Sequence, residues 1–238
     1  GCDKRCSYCI IPKIRGRFRS VPMQELLNEA KRLASEGVKE LVLVAQETTL
    51  YGKDLTGEKQ LPLLLHELCK IEGIEWIRLL YCYPEEITDE LIKVIKTEEK
   101  VCNYIDMPIQ HSENRILQRM GRRTSREDLV AVIKKLRKEI PDITIRTTLI
   151  TGFPGESQED HEGLMNFVEE CQFDRLGVFT YSPEEDTLAA TFEDQIDEEV
   201  KEERRDELMS LQQEISYEHT QQLVGKTIKV MVEGYLFE

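Results

Sequence analysis

A chain of 238 residues, with 40% hydrophobic and 33% charged residues, has the composition of an ordinary globular protein and can bury a substantial core. It contains no run of about 18 apolar residues, which argues against a membrane-spanning helix. The net charge of −14 disfavours general binding to nucleic acid and favours a basic protein partner.

Helical and strand patterns alternate along the chain. Pro22 suits the first turn of a helix, and the continuous apolar run ELVLVAQ that follows is typical of a strand covered on both faces. Further along, Thr88 and Ser157 stand where each can cap a helix. The predicted helices span residues 22–36, 61–71, 88–96, 114–120, 125–139, 157–171 and 197–223, and the predicted strands span 40–46, 76–82, 103–107, 142–150 and 174–181.

Strands separated mainly by helices indicate an α/β fold with a parallel sheet and crossover helices. Such sheets bind ligands beyond the carboxyl ends of their strands, so the loops leaving the strands are the informative ones. A strand is expected to lead into residues 1–9 and is missing here. After Gly225, KTIKVMVEGYLF predicts the first strand of another unit. We therefore divide the chain into 1–222, a core with its C-terminal helix, and 223–238, the truncated start of a further domain.

Three cysteines lie within the opening GCDKRCSYC, at Cys2, Cys6 and Cys9. The total of seven cysteines is odd and no apolar signal segment is present, so reduced thiols in the cytoplasm are expected. Structural zinc needs a fourth ligand, and no further Cys or His lies nearby in the sequence. Three thiolates suit an iron–sulfur cluster with one open iron, and the flanking cations would offset its negative charge. Zinc and unligated thiols remain the alternatives.

With the aromatic Tyr8 before its last cysteine, this spacing resembles the radical S-adenosylmethionine superfamily. The resemblance implies an open, partial (β/α)6 barrel of the TIM type, here without its first strand. It implies a [4Fe–4S] cluster on Cys2, Cys6 and Cys9, whose open iron holds S-adenosylmethionine across the strand ends. The residues expected to bind that cofactor are Tyr8, Gln46, Glu47, Gln110, Ser112, Arg146, Gly152, Glu156 and Tyr181. No catalytic residue is assigned beyond the cluster.

Several of these residues also have ordinary structural interpretations. GFPGE can be a turn before a helix, with Glu156 favoured by the helix dipole. Arg146 can make an ion pair instead of holding a ligand carboxylate. Tyr8 and Tyr181 can be packing residues, and His111 is more typical of a structural histidine than of a catalytic one.

Longer blocks carry a more specific resemblance. GCDKRCSYCIIPKIRGRFRS, MPIQHSENRILQRMGR and TTLITGFPGESQED resemble the methylthiotransferase family, and GKTIKVMVEGYLFE resembles the start of the small TRAM β-barrel of that family. LLYCYPEEIT and GVFTYSPEEDTLAA favour the branch that adds a methylthio group to the β-carbon of an aspartate in a small-subunit ribosomal protein. The alternatives are the tRNA adenosine branch and, from other classes, an iron–sulfur or zinc module without catalysis or a simple electron carrier.

The resemblance also implies partners. These are a basic ribosomal protein as substrate, an electron donor such as a flavodoxin or ferredoxin, and RNA through the missing part of the TRAM domain; no membrane contact is expected. The family's N-terminal methylthiotransferase domain, which carries a second [4Fe–4S] cluster, is absent from this sequence. This fragment is therefore expected to bind the cofactor without completing methylthiolation.

Overall fold

The computed structural model describes residues 1–232 and residue 234, and this part of the chain contains five parallel strands. They are β1 (Glu40–Leu43), β2 (Trp76–Leu79), β3 (Tyr104–Asp106), β4 (Thr144–Thr151) and β5 (Arg175–Thr180). Strand β1 pairs with β2, and β3, β4 and β5 pair in that order. A bridge between Ile77 and Val101 and a hydrogen bond from the Cys82 N–H to the Asp106 carbonyl (2.8 Å) join the two groups. The predicted parallel α/β fold is confirmed, with strands shorter than predicted.

Helices connect successive strands. In the described residues they are α1 (Ile11–Arg15), α2 (Met23–Ser35), α3 (Lys53–Thr56), α4 (Leu61–Cys69), α5 (Asp89–Thr97), α6 (Asn114–Arg119), α7 (Arg126–Glu139), α8 (Gln158–Cys171) and α9 (Glu198–Gln221). Helices α1 and α3 were not predicted, because one turn of helix is too short to show an apolar period. None of the described helices combines the length and the apolar character that crossing a bilayer requires.

The predicted helix caps are present. The Thr88 side chain accepts a hydrogen bond from the Leu91 N–H at the start of α5. Ser157 forms a capping box with Asp160 at the start of α8. Such caps satisfy backbone donors that the helix itself leaves unpaired, and each stabilises a helix by about 1 kcal/mol. Single polar residues in the sequence therefore marked where these two helices begin.

The core lies between the outer face of the sheet and the connecting helices. Along β4 burial alternates, so that Ile145 and Leu149 are fully buried while Arg146 lies on the opposite, half-open face. Strand β1 differs from the expectation of a strand covered on both faces: Val42 is 47% exposed and Val44 is 63% exposed. An apolar run does not reveal which of its residues the rest of the fold leaves uncovered; Val42 and Val44 line an open pocket together with Phe18 and Val21.

Helix α9 closes the far edge of the sheet, packing Leu208 and Ile215 into the core beside β5 and α8. The predicted C-terminal helix is thus present. Residues 226–232 form no strand, and the rest of the strand predicted after Gly225, Glu233 and residues 235–238, lies outside the described residues. The TRAM start and the division into domains stay predictions.

Candidate cofactor site at the cysteine loop

The cysteine loop, residues 2–9, is folded against the protein. Cys2 and Cys6 are buried and Cys9 is half-buried, and all three thiols are free. The Cys9 N–H donates to the Cys6 carbonyl (3.1 Å), and the Cys2 N–H donates to the Gly16 carbonyl (3.2 Å). The backbone therefore holds the three cysteines on one compact turn, as the C-x3-C-x2-C spacing predicts.

The donor set fits a metal–sulfur centre in its chemistry. Burial raises the pKa of the Cys2 and Cys9 thiols, and the neighbouring charge of Cys6 adds to both shifts, so the three thiols lie within electrostatic reach of one another. In the described residues no three His, Cys, Asp or Glu side chains already converge in a metal-binding arrangement. Soft thiolates are the ligands that iron–sulfur clusters and zinc prefer. Binding such a centre requires the three thiols to lose their protons.

A turn that the sequence did not mark as functional supports the cysteine loop. It is formed by Arg119–Arg122, at the C-terminal end of α6. The Ser7 N–H donates to the Met120 carbonyl (2.9 Å) and the Ser7 hydroxyl to the Arg119 carbonyl (2.7 Å). Gly121 has a φ of +73°, and a Cβ there would lie 2.8 Å from the Arg5 carbonyl oxygen. The signal was present in the sequence as MGR, but only the fold shows that this turn meets the cysteine loop.

An aromatic cluster brings two of the predicted cofactor residues together. The rings of Tyr8 and Tyr181 both pack edge-on against Phe153, with centroid distances of 6.4 and 5.2 Å. Tyr181 is 3% exposed, and burial raises the pKa of both tyrosines. This geometry agrees with the interpretation of Tyr8 and Tyr181 as packing residues. Direct contact of either tyrosine with a cofactor stays a prediction.

An acidic clamp binds the cation of the cysteine loop. The Lys4 Nζ lies 2.9 Å from Glu85, 3.0 Å from Glu86 and 4.0 Å from Glu47. It also lies 4.8 Å from the ring centre of Tyr83. The clamp connects the loop to the 3₁₀ turn Pro84–Glu86 after β2, which is part of the YPEE block.

Two more predicted residues follow β1 and lie beside the same loop. Gln46 accepts a hydrogen bond from the Gly1 amino group (3.1 Å). Glu47 is 1% exposed and accepts hydrogen bonds from the N–H (3.2 Å) and hydroxyl of Thr49, while its Oε2 has no hydrogen-bond partner in the described residues. Burial raises the pKa of Glu47 to about 7, against the lowering effect of Thr49 and Lys4. Its carboxyl group can therefore gain or lose a proton near neutral pH.

The two predicted cofactor residues that follow β3, Gln110 and Ser112, form hydrogen bonds with different elements. Gln110 has a φ of +73° and is paired with β4 through Thr148 and Ile150. Ser112 is fully buried and donates to Glu113 (3.0 Å) while accepting from Arg126 (3.3 Å), so its hydroxyl is oriented toward α7. Their role in binding a cofactor stays a prediction.

The GFPGE turn after β4 is occupied by structural partners. The Glu156 carboxylate binds Arg204 of α9 (2.9 Å) and lies 3.4 Å from the His111 Nε2. Although burial opposes it, His111 and Arg204 lower the pKa of Glu156. A Cβ at Gly152 would lie 2.2 Å from the Lys201 Cγ, so the absence of a side chain here lets Lys201 of α9 pack against the turn. These contacts agree with the structural interpretations of Glu156 and His111.

Arg146 makes the ion pair that the sequence left open. Its Nη1 lies 2.5 Å from the Asp106 Oδ1 across the β3–β4 pair. The other oxygen of Asp106 accepts from the Tyr81 N–H (3.0 Å). Arg146 also lines an open cavity of about 890 Å³ between β4, β5 and α9, together with Tyr104 and Arg175. One face of its guanidinium is thus committed to the protein and the other is accessible.

Comparison with known proteins decides the family. The sequence model of the radical SAM superfamily matches residues 1–168, more than half of the chain and all of the cysteine loop. The chain belongs to the radical SAM superfamily. The resemblance inferred from the cysteine spacing is thereby confirmed.

The similar curated proteins point to one branch. The chain is 63% identical over 238 residues to the ribosomal protein uS12 methylthiotransferase RimO of Lachnoclostridium phytofermentans, covering 100% of this chain and 54% of that protein. It is 54% identical over 236 residues to the protein of the same name from Desulfitobacterium hafniense, covering 99% of this chain and 53% of that protein. The chain spans about half the length of the curated relatives it matches.

Solved structures agree on the fold. The radical S-adenosylmethionine methyltransferase TsrM from Kitasatospora setae, with cobalamin and a [4Fe–4S] cluster bound, superposes with a TM-score of 0.62 at 19% identity over 77% of this chain and 36% of that one. The radical SAM enzyme HemN from Escherichia coli, a coproporphyrinogen III oxidase, superposes with a TM-score of 0.60 at 18% identity. The match covers 92% of this chain and 50% of that one. At such identities the likeness is one of fold alone.

Proposed function

We propose that this chain is the radical-generating part of a methylthiotransferase that adds a methylthio group to the β-carbon of an aspartate in a ribosomal protein. The observation that carries the proposal is the three-thiol loop of Cys2, Cys6 and Cys9 in a chain 63% identical along its whole length to a ribosomal protein uS12 methylthiotransferase. The net charge of −14 supports a basic protein as the substrate.

The three thiols would hold a [4Fe–4S] cluster through three of its irons. When bound, this cluster supplies an open coordination site and the electron for reductive cleavage of S-adenosylmethionine, chemistry that side chains alone do not provide. The chain's own residues position it: Ser7 fixes the loop to the turn after α6, and Lys4 fixes it to the turn after β2. Burial of Cys2 and Cys6 would keep water from two of the three thiolate ligands.

The strand ends beside the loop would receive S-adenosylmethionine. Gln46 and Glu47 lie next to the cysteine loop, and the Glu47 Oε2 without a hydrogen-bond partner is an acceptor available to a cationic amino group. Tyr8 and Tyr181 would contribute through their shared packing on Phe153. Gln110, Ser112, Arg146, Gly152 and Glu156 complete the proposed set, of which Glu156 acts through its hold on α9.

Further parts of the proposal concern the protein to which the chain belongs. The strands would form an open, partial (β/α)6 barrel, and residues 223–238 would begin a TRAM domain. A preceding methylthiotransferase domain would carry a second [4Fe–4S] cluster, and a flavodoxin or ferredoxin would supply electrons. RNA contact would come through the TRAM domain. The cytoplasm is the compartment in which reduced thiols and ribosomal proteins meet.

Anaerobic reconstitution of the chain with iron and sulfide tests the first step. We expect about four irons and four sulfides per chain and, with a strong reductant, release of 5′-deoxyadenosine from S-adenosylmethionine. Zinc without sulfide would make the chain a zinc module, and a cluster without cofactor cleavage would make it an electron carrier.

Substrate choice is tested with the complete protein. It is incubated with uS12 and, separately, with unmodified tRNA, and the products are analysed by mass spectrometry. We expect methylthio-aspartate in uS12. Methylthio-adenosine in tRNA instead would reassign the chain to the other branch.

A further inference from the structure

Arg122 is a buried cation with few partners. It is 7% exposed and follows α6 in the turn that holds the cysteine loop. Its Nη2 donates to the Pro108 carbonyl (2.8 Å), while Nε and Nη1 have no hydrogen-bond partner in the described part of the chain. A buried guanidinium is costly unless nearby negative charge or hydrogen bonds compensate it.

The surroundings of Arg122 belong to the cysteine loop. The guanidinium lies 4.5 Å from the ring centre of Tyr83, the same ring that Lys4 of the loop covers. Two residues earlier, Met120 binds the backbone of Ser7, between Cys6 and Tyr8. Within residues 1–232 and 234, no carboxylate forms a salt bridge with Arg122. Arg122 therefore lies beside the cysteine loop and, among the described residues, forms no salt bridge with a carboxylate.

Most of the groups near this cation are weak acids. Burial lowers the pKa of Arg122, but the neighbouring Tyr8, Cys6 and Tyr83, followed by the Glu85 carboxylate, raise it by more. The guanidinium thus stays charged, and the group of the loop that can supply a compensating negative charge is the thiolate of a metal-bound Cys6.

We propose that Arg122 is a positioning residue whose buried positive charge balances the thiolate-bound cluster of the cysteine loop and raises the potential at which that cluster accepts an electron. This inference rests on the cluster of the proposed function. One-electron reduction, by a low-potential protein donor, adds one negative charge to the cluster. A fixed positive charge in a poorly solvated site stabilises the more negative state, so it favours reduction.

The test is a redox titration of the anaerobically reconstituted chain, with the signal of the reduced cluster followed by electron paramagnetic resonance. Arg122→Met and Arg122→Gln remove the charge; Met replaces an unpaired buried charge by an apolar side chain and is the variant more compatible with folding. Arg122→Lys keeps the charge. Arg123→Gln is the matched control, since it removes an equal charge one residue away from an exposed side chain.

We expect both neutral variants to shift the oxidised-to-reduced ratio at a fixed potential about tenfold toward the oxidised form, which for a one-electron couple is about 59 mV. Arg122→Lys should stay within about twofold of the unmodified chain, and Arg123→Gln should not differ from it.

Three results would overturn the inference. The first is a neutral variant whose cluster has the same reduction potential as that of the unmodified chain. The second is an Arg122→Lys variant whose potential shifts as far as those of the neutral variants. The third is failure of both neutral variants to fold by circular dichroism, which would make Arg122 a purely structural residue. If the unmodified chain binds no cluster, the proposed function fails instead, and the two failures are thereby separated.

Discussion

The Lys4 Nζ lies 2.9 Å from the Glu85 Oε1, so an ion pair connects the cysteine loop to the turn after β2. The side chains of Lys4, Glu85 and Glu86 are 12%, 21% and 17% exposed, and the pair is therefore poorly screened by solvent. The cysteine loop is thus held in part by a contact between residues that lie 81 positions apart in sequence.

Lys4→Met should destabilise the chain by about 1–3 kcal/mol, because it leaves the half-buried Glu85 carboxylate without its cation and Glu86 with Lys59 alone. Urea unfolding followed by circular dichroism measures this. Lys134→Met is the matched control: its Nζ lies 3.8 Å from Glu170 at an exposed position, so its effect should stay within about 0.5 kcal/mol. Equal effects of the two substitutions would contradict a specific clamp.

Cys6→Ala should abolish cluster retention and leave the folded chain intact, since a loop ligand contributes little to the main core. Iron and sulfide analysis after anaerobic reconstitution measures retention, and circular dichroism reports the fold. Cys102→Ala is the control, because Cys102 is a free, half-buried cysteine outside the loop. Full iron content in the Cys6 variant would remove this residue from the ligand set.

Glu47 should make stability fall as pH rises toward neutrality. Its pKa of about 7 in the fold exceeds its ordinary 4.5, so the folded chain keeps a proton that the unfolded chain releases. The stabilisation is complete below about pH 4.5 and is lost as pH rises through about 7, by on the order of 3 kcal/mol.

Glu47→Gln should remove that dependence and be the more stable protein at pH 8, as measured by thermal unfolding between pH 5 and 8. Glu58→Gln, at an exposed position, is the control. A pH profile unchanged by the Glu47 substitution would refute the assignment.

Gly121→Ala should weaken the contact between the turn Arg119–Arg122 and the cysteine loop. Gly121 and Gly57 both have positive φ, +73° and +85°, but a Cβ at Gly121 meets the Arg5 carbonyl at 2.8 Å whereas a Cβ at Gly57 meets nothing within 4 Å. Both substitutions cost about 1 kcal/mol of backbone strain, and Gly121→Ala should cost about 1–2 kcal/mol more. Denaturant unfolding of the two variants gives the difference, and a smaller loss at Gly121 than at Gly57 would show that the loop is held by other contacts.

Local signals in the sequence predicted the parallel strands, the caps at Thr88 and Ser157, and the family. These depend on short-range patterns: apolar runs, polar residues at helix starts, and the spacing of Cys2, Cys6 and Cys9. The partners of Glu156 and Arg146 were not predictable in the same way. Each pairs with a residue 40 or more positions away, Arg204 and Asp106, and no local pattern encodes which long-range partner a charge meets in the fold.

The same reason explains the turn Arg119–Arg122. Its sequence was read as the end of a helix, which is correct for the chain locally. That it supports the cysteine loop depends on α6 ending beside Ser7, a long-range contact that no local pattern records. The exposure of Val42 in β1, and of Val44 just after it, likewise depends on how the rest of the chain packs, which a hydrophobic run does not record.

Helix α9 has a practical consequence for the boundaries of this unit. The family match ends at residue 168, yet Arg204 binds Glu156 in the turn after β4 and Lys201 fills the space that Gly152 leaves. A shortened expression fragment that stops at the family boundary would uncover this turn and strip a buried carboxylate of its cation. We therefore expect a stable fragment of the chain to include α9, which ends at Gln221.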